Sequence, residues 1–132
     1  MDIPQRITFV TLGARDLPVL RRFYRGLGWH EGEGAGDGFA SFDCGGVKLA
    51  LYPVEMLRDE AAPGTPLPDL AMWNGITLAV NVATRAEVDA VYARALASGA
   101  VPVAEPTERE WGGYSGYVAG PEGNRWELAW AP

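Results

Sequence analysis

The chain has 132 residues, 48% of them hydrophobic, and its 17 acidic against 11 basic side chains leave a formal charge of -6. That length and apolar content suit one domain with its own core. The acidic balance opposes binding to phosphate backbones, which depends on clustered Lys and Arg. No apolar run approaches the roughly 18 residues that cross a bilayer, and the opening residues do not read as a charged-then-apolar leader, so none is expected. The expectation is a cytoplasmic protein with neither nucleic acid nor membrane as partner. Cys44 is the single cysteine, so no internal disulfide can form, and it reads as a structural thiol on a strand rather than a nucleophile.

In chain order, Arg6 to Ala14 is rich in Ile, Thr, Phe and Val and reads as a strand. A helix follows: Asp16 caps it, Pro18 sits in the first turn, and Leu17, Leu20, Phe23, Tyr24 and Leu27 recur at helical spacing before Gly28 stops it. Short strands are predicted at Trp29 to Glu33, Phe39 to Cys44 and Val47 to Tyr52, parted by Gly-rich turns. From Pro53 to Trp73 five prolines or glycines break the pattern, which predicts a linker with one helical turn near Val54 to Asp59. The order then repeats. Asn74 to Val82 reads as a strand, and Thr84 with Glu87 forms a capping box for a helix carrying Val88, Val91, Tyr92, Ala95 and Leu96. Gly99 ends that helix, and strands are predicted at Val101 to Ala104, Tyr114 to Ala119 and Arg125 to Ala131.

The two halves overlay. Ile7-Thr8 matches Ile76-Thr77, Phe23 matches Tyr92 and Leu27 matches Leu96 at one offset, while Phe42 answers Tyr117 further on. The fold class expected is α+β: two tandem βαβββ modules, about 6–52 and 74–131, joined by a linker over 53–73 and forming a cupped mixed sheet with helices on its outer face. Strand alternation sorts the residues into two sets. Val10, Leu12, Leu49, Leu51, Ile76, Leu78, Val80, Trp126, Leu128 and Trp130 make apolar faces suited to burial under helices. Phe9, Thr11, Lys48, Ala50, Tyr52, Gly75, Thr77, Ala79, Arg125, Glu127 and Ala129 make mixed faces that suit either a ligand cleft or a solvated surface.

The module order, the opening Ile7 to Asp16, and the closing Trp111-Gly112-Gly113-Tyr114-Ser115-Gly116-Tyr117 with Gly120-Pro121-Glu122-Gly123-Asn124-Arg125-Trp126-Glu127 resemble the vicinal oxygen chelate superfamily. Its members include glyoxalase I, extradiol dioxygenases, fosfomycin-resistance enzymes and bleomycin-resistance binding proteins. In the metal-dependent members, His and carboxylate ligands come from the first and last strand of each module. The resemblance places those positions at Phe9, Ala50, Gly75 and Glu127. Benzyl, methyl and hydrogen offer no lone pair, so only Glu127 could bind a metal, and no metal or other cofactor is expected. The sole histidine, His30, lies away from these positions and reads as a surface or turn residue.

The function expected is metal-free binding of an aromatic or cationic small organic molecule, as in the bleomycin-resistance branch, by a homodimer. Phe9, Thr11, Ala50, Tyr52, Trp73, Gly75, Thr77, Trp111, Tyr114 and Glu127 are the candidate lining residues. The alternative is a metal-independent isomerase or lyase in which Glu127 is the catalytic general base. Glu127 could equally be paired with Arg125 or Lys48, and Trp111 and Tyr114 could instead cover the junction between modules. An interaction module with no small ligand is the third reading.

Overall fold

A computed structural model describes residues 1–132. Strand β1 (Phe9–Ala14) leads through the Asp16 cap into helix α1 (Leu17–Gly26), where the Asp16 carboxylate accepts from the Val19 backbone N–H at 3.2 Å. Strands β2 (Ala40–Cys44) and β3 (Val47–Pro53) form an antiparallel hairpin, and β3 runs parallel to β1. This first sheet has the order β1-β3-β2. The strand expected over Trp29 to Glu33 is reduced to one bridge, Glu31 to Phe42. Gly32, Gly34, Gly36 and Gly38 follow closely, and so many glycines make an extended edge expensive in chain entropy. Arg21 instead ties the segment down, donating to the Glu31 carboxylate at 2.8 Å and to the Gly36 carbonyl at 2.6 Å.

Helix α2 (Val54–Ala61) begins directly after β3 and runs slightly past the turn expected there. Its Val54 is buried against β1 at Gly13, where a Cβ would stand 2.8 Å from the Val54 side chain. The second module repeats the first. Strand β4 (Thr77–Asn81), helix α3 (Arg85–Ala97), and strands β5 (Val101–Glu108), β6 (Tyr114–Ala119) and β7 (Arg125–Trp130) form a sheet of order β4-β7-β6-β5. The capping box of α3 is complete: the Thr84 hydroxyl accepts from Glu87 N–H and the Glu87 carboxylate from Thr84 N–H. Strand β5 is longer than the sequence pattern predicts because it slips register twice, between Pro102 and Ala104 and between Ala104 and Thr107. Pro102 and Pro106 lack the N–H a regular ladder needs, and an edge strand tolerates that loss.

One hydrophobic core serves both modules. Leu20, Phe23, Tyr24, Phe42, Leu49 and Leu51 from the first meet Tyr92, Ala95, Val118, Trp126 and Leu128 from the second. Tyr24 is central: it packs on Phe23, Trp29, Phe42 and Trp126, and its hydroxyl accepts from the Trp126 indole N–H at 3.0 Å. Burial pushes the Tyr24 phenol far above its ordinary value, so it stays neutral at any physiological pH. The helix-covered faces of the two sheets therefore share this core, and their other faces look away from it. At the turn between β6 and β7, the buried Glu122 carboxylate accepts from the backbone N–H groups of Arg15 at 2.7 Å and Asp16 at 2.9 Å. The Arg15 guanidinium in turn donates to the linker carbonyl of Pro68. No helix is long and apolar enough to cross a membrane.

Candidate functional site

The ladders decide which side chains share an open face. In the first sheet Thr11, Ala50 and Ser41 stand abreast across β1, β3 and β2. Phe9 pairs with Lys48, whose ammonium lies 5.7 Å from the Phe9 ring centre. Ala50 and Ser41 are buried, Tyr52 is half-buried, and Phe9 and Thr11 are exposed.

In the second sheet Thr77 pairs with Arg125 and Ala79 with Glu127. Glu127 then faces Tyr117 across the β6–β7 ladder. The parallel pairs align the modules directly: Phe9 lies opposite Lys48, two residues before Ala50, and Thr77 lies opposite Arg125, two residues before Glu127. Thr77, rather than Gly75, is thus the structural equivalent of Phe9. Gly75 precedes β4 with φ 84°.

The remaining candidates are dispersed. Trp73 and Trp111 are more than half exposed. Trp73 donates its indole N–H to the Ile76 carbonyl just ahead of β4, and the Trp111 ring rests on Gly113 at the tip of the β5–β6 hairpin. Tyr114 points to the helix side, donating to the Asp89 carboxylate on α3 at 2.7 Å with the Arg85 guanidinium over its ring. That hydrogen bond raises its phenol pKa, and Tyr114 takes no part in the face that carries Glu127. Phe9, Thr11, Ala50 and Tyr52 lie on one sheet and Thr77 and Glu127 on the other, and a cavity of about 220 Å³ between the sheets is lined by Thr11 on one side and by Ile76, Leu78 and Arg125 on the other. Cys44 is exposed at the β2–β3 turn, and partial burial raises its thiol pKa, as suits an unreactive thiol. His30 is exposed.

Around Glu127 the structure adds three residues that sequence reading did not single out. Ser115 and Tyr117 share its face of the sheet, and Arg109, just past the end of β5, folds back over them. The Arg109 Nε donates to the Ser115 hydroxyl and its Nη2 to the Ser115 carbonyl, both at 3.0 Å, while its guanidinium carbon lies 5.3 Å from the Tyr117 ring centre. Tyr117 is held above its ordinary phenol pKa, first by burial and then by the neighbouring Glu127 carboxylate. The alternation of β6 could have nominated Ser115 and Tyr117. Nothing local in the sequence nominates Arg109, which reaches the site only through the hairpin's fold.

A divalent ion needs several His, Cys, Asp or Glu ligands together. The four strand positions here hold Phe9, Thr77, Ala50 and Glu127, and no group of three such side chains gathers anywhere in the chain. The donor set does not fit a resident metal.

Residues 6–128 match the family model of the Glyoxalase/Bleomycin resistance protein/Dioxygenase superfamily. Among solved structures, a glyoxalase-related enzyme from Fulvimarina pelagi is similar at 29% identity with a TM-score of 0.87, covering 98% of this chain and 90% of that one. A glyoxalase/bleomycin resistance protein/dioxygenase from Nocardioides is similar at 27% identity and a TM-score of 0.79, over 98% and 85% of the two chains. Lactoylglutathione lyase from Agrobacterium tumefaciens is similar at 25% identity and a TM-score of 0.72, over 98% and 96%. Comparison with curated proteins gives no match.

Proposed function

Since the chain belongs to the Glyoxalase/Bleomycin resistance protein/Dioxygenase superfamily, we propose that it binds a small organic molecule without a metal ion, in a groove that two copies of the chain complete together. The observation that carries this reading is the lone carboxylate of Glu127 standing where metal-dependent relatives of the superfamily need a set of ligands. A carboxylate on a half-buried face beside Tyr117 favours a cationic or hydrogen-bond-donating group, and the aromatic side chains favour a ring.

The case for a homodimer is the exposed edge. Strands β1 and β4 are the outer strands of their sheets, and Ile7, Phe9, Met72, Trp73 and Ile76 lie along or just before them, each about half exposed or more. Unpaired edges with apolar side chains invite another chain. A second copy docked there would bring the Phe9 and Tyr52 face of one chain over the Glu127 face of the other. A cytoplasmic location follows from the same reading, with no nucleic acid or membrane partner.

A second reading gives Glu127 a catalytic role as general base in an isomerase or lyase. Tyr117 beside it supplies the second polar group that such a proton transfer needs. The test uses sedimentation and tryptophan quenching by 4-methylbenzylamine, with and without EDTA. The expected result is a dimer that Ile76→Asp dissociates, with binding unaffected by EDTA and weakened about tenfold by Glu127→Gln, the loss of one charge-assisted hydrogen bond. Binding that EDTA abolishes, or a monomer that binds with full affinity, would overturn the proposal.

A further inference from the structure

We propose that Arg109 is an oxyanion anchor, so that the ligand of the Glu127 face carries a carboxylate as well as its cationic or donor group. This rests on the reading that the Glu127 face binds a small molecule, and it names the chemistry of the other end of that molecule.

The argument begins with the donors of the guanidinium. A guanidinium is a planar fork with no acceptor, and each of its edges can take a two-pronged partner. One edge of Arg109 is already occupied inside the protein, with Nε on the Ser115 hydroxyl and Nη2 on the Ser115 carbonyl. Those two bonds and the Tyr117 ring beneath it fix the plane of the group. The end-on edge, formed by Nη1 and the second N–H of Nη2, has no acceptor in the chain, and no carboxylate pairs with Arg109. Parallel N–H groups on a fixed planar cation match the two oxygens of a carboxylate.

Two other partly buried arginines give a contrast, while Arg125, which donates only to the Gly123 carbonyl, resembles Arg109 in lacking an ion pair. Arg21 spends its fork on Glu31 and on the Gly36 carbonyl, and Arg58 spends its own on Asp59 and the Thr65 carbonyl. Each of those is a structural tie with its counter-charge supplied by the fold. Arg109 is oriented by neutral groups and forms no ion pair, in a protein whose net charge is -6. A partly desolvated cation without a counter-ion is costly to maintain, and orientation without neutralisation is the arrangement that receives an anion from outside.

Placement gives the ligand its shape. Tyr117 lies under Arg109 and directly across the ladder from Glu127, so the cation and the carboxylate flank one aromatic ring. A molecule lying on Tyr117 with an oxyanion towards Arg109 and a protonated amine or other donor towards Glu127 satisfies both. A ring bearing an amine on one side and a carboxylate on the other has this pattern.

The experiment uses three matched probes: 4-(aminomethyl)benzoate, 4-methylbenzoate and 4-methylbenzylamine. Affinities are measured by tryptophan quenching on the full chain, and the Arg109 side-chain Nε–Hε signal is followed by NMR. Expected is tightest binding by the zwitterion. Arg109→Gln should weaken both carboxylates about tenfold or more and leave 4-methylbenzylamine unchanged. Arg109→Lys should restore only part of the loss, because a point charge lacks the fork. In the unaltered protein 4-methylbenzoate should shift the Arg109 signal, a readout that does not depend on how any variant folds.

Carboxylates that bind Arg109→Gln as well as the parent, or that leave the Arg109 signal in place, overturn the proposal. Amine binding that depends on Glu127 with no carboxylate binding would sink this inference and leave the proposed function standing. Binding of 4-(aminomethyl)benzoate that depends on Arg109 but not on Glu127, with no binding of 4-methylbenzylamine, would sink the role of Glu127 in the proposed function and leave the Arg109 anchor standing.

Discussion

Removing the Glu122 carboxylate should loosen the junction between the modules more than any comparable surface change. Glu122 sits in the β6–β7 turn of the second module and accepts from Arg15 N–H at 2.7 Å and Asp16 N–H at 2.9 Å in the first. Those donors stand at the entry of α1, where the helix dipole adds a favourable field for an anion. A hydrogen bond to a charged group contributes about 1.5–3 kcal/mol, and the two share one carboxylate, so they do not add fully. Glu122→Ala should therefore cost about 3 kcal/mol, part of it from donors left unpaired. With a urea slope near 2 kcal/mol/M, the unfolding midpoint would fall by about 1.5 M. Glu122→Gln keeps the shape and one acceptor oxygen and should lose about half as much. A change within about 0.5 kcal/mol, the range of ordinary surface substitutions, would refute the idea that this contact clasps the modules.

Gly123 follows in the same turn with φ 88°, and a Cβ there would stand 2.6 Å from the Leu70 carbonyl oxygen. Gly123→Ala should lower stability by about 2–3 kcal/mol, whereas Gly34→Ala, at φ 82° in open space, should cost only about 1 kcal/mol of backbone strain. Comparable melting temperatures for the two variants would contradict the contact. The Arg21 hydrogen bond and charge hold the Glu31 carboxyl below the usual carboxylate range. Because the folded value is the lower one, the unfolded chain takes up protons first as pH falls, and stability falls with it. The stability gap between the parent and Glu31→Gln should be full above the ordinary glutamate value of about 4.3 and shrink as pH drops through the lowered one. Urea midpoints across that range check this, and a gap that widened in acid would refute it.

Much of the fold was legible because it rests on local signals. Asp16 and the Thr84–Glu87 box fix where α1 and α3 start, and the alternation along β3 and β7 separates Leu49, Leu51, Trp126 and Leu128 from the open faces. The weak points were those where locality fails. The expected strand over Trp29 to Glu33 lost to a glycine run and to Arg21, which reaches it from α1. The length of β5 depended on how its neighbour β6 tolerates two prolines. The resemblance set Gly75 beside Phe9, whereas the ladders pair Phe9 with Lys48 and Thr77 with Arg125, two residues further along the chain, a placement that only the strand pairing reveals. Tyr114 and Tyr117 are three apart on one strand and therefore face opposite sides, so choosing the first over the second for the site amounted to choosing the wrong side of the sheet.

The site also shows why net charge is a poor guide to a ligand. An overall charge of -6 favours cations at long range, but exposed charges are screened within about 8–10 Å at physiological salt. Glu122 spends its charge on Arg15 and Asp16 N–H, Glu31 on Arg21, Glu108 on Arg85 and Asp59 on Arg58. Each of these acids is engaged within the fold and contributes little to recognition. On the proposed Glu127 face stand Glu127, Arg109 and, two residues before Glu127 on β7, Arg125, none of which forms an ion pair within the fold. On the proposed reading the sign of the bound group is decided by Arg109 and Glu127 separately, at contact distance, and a panel of cations alone would sample only half of that surface.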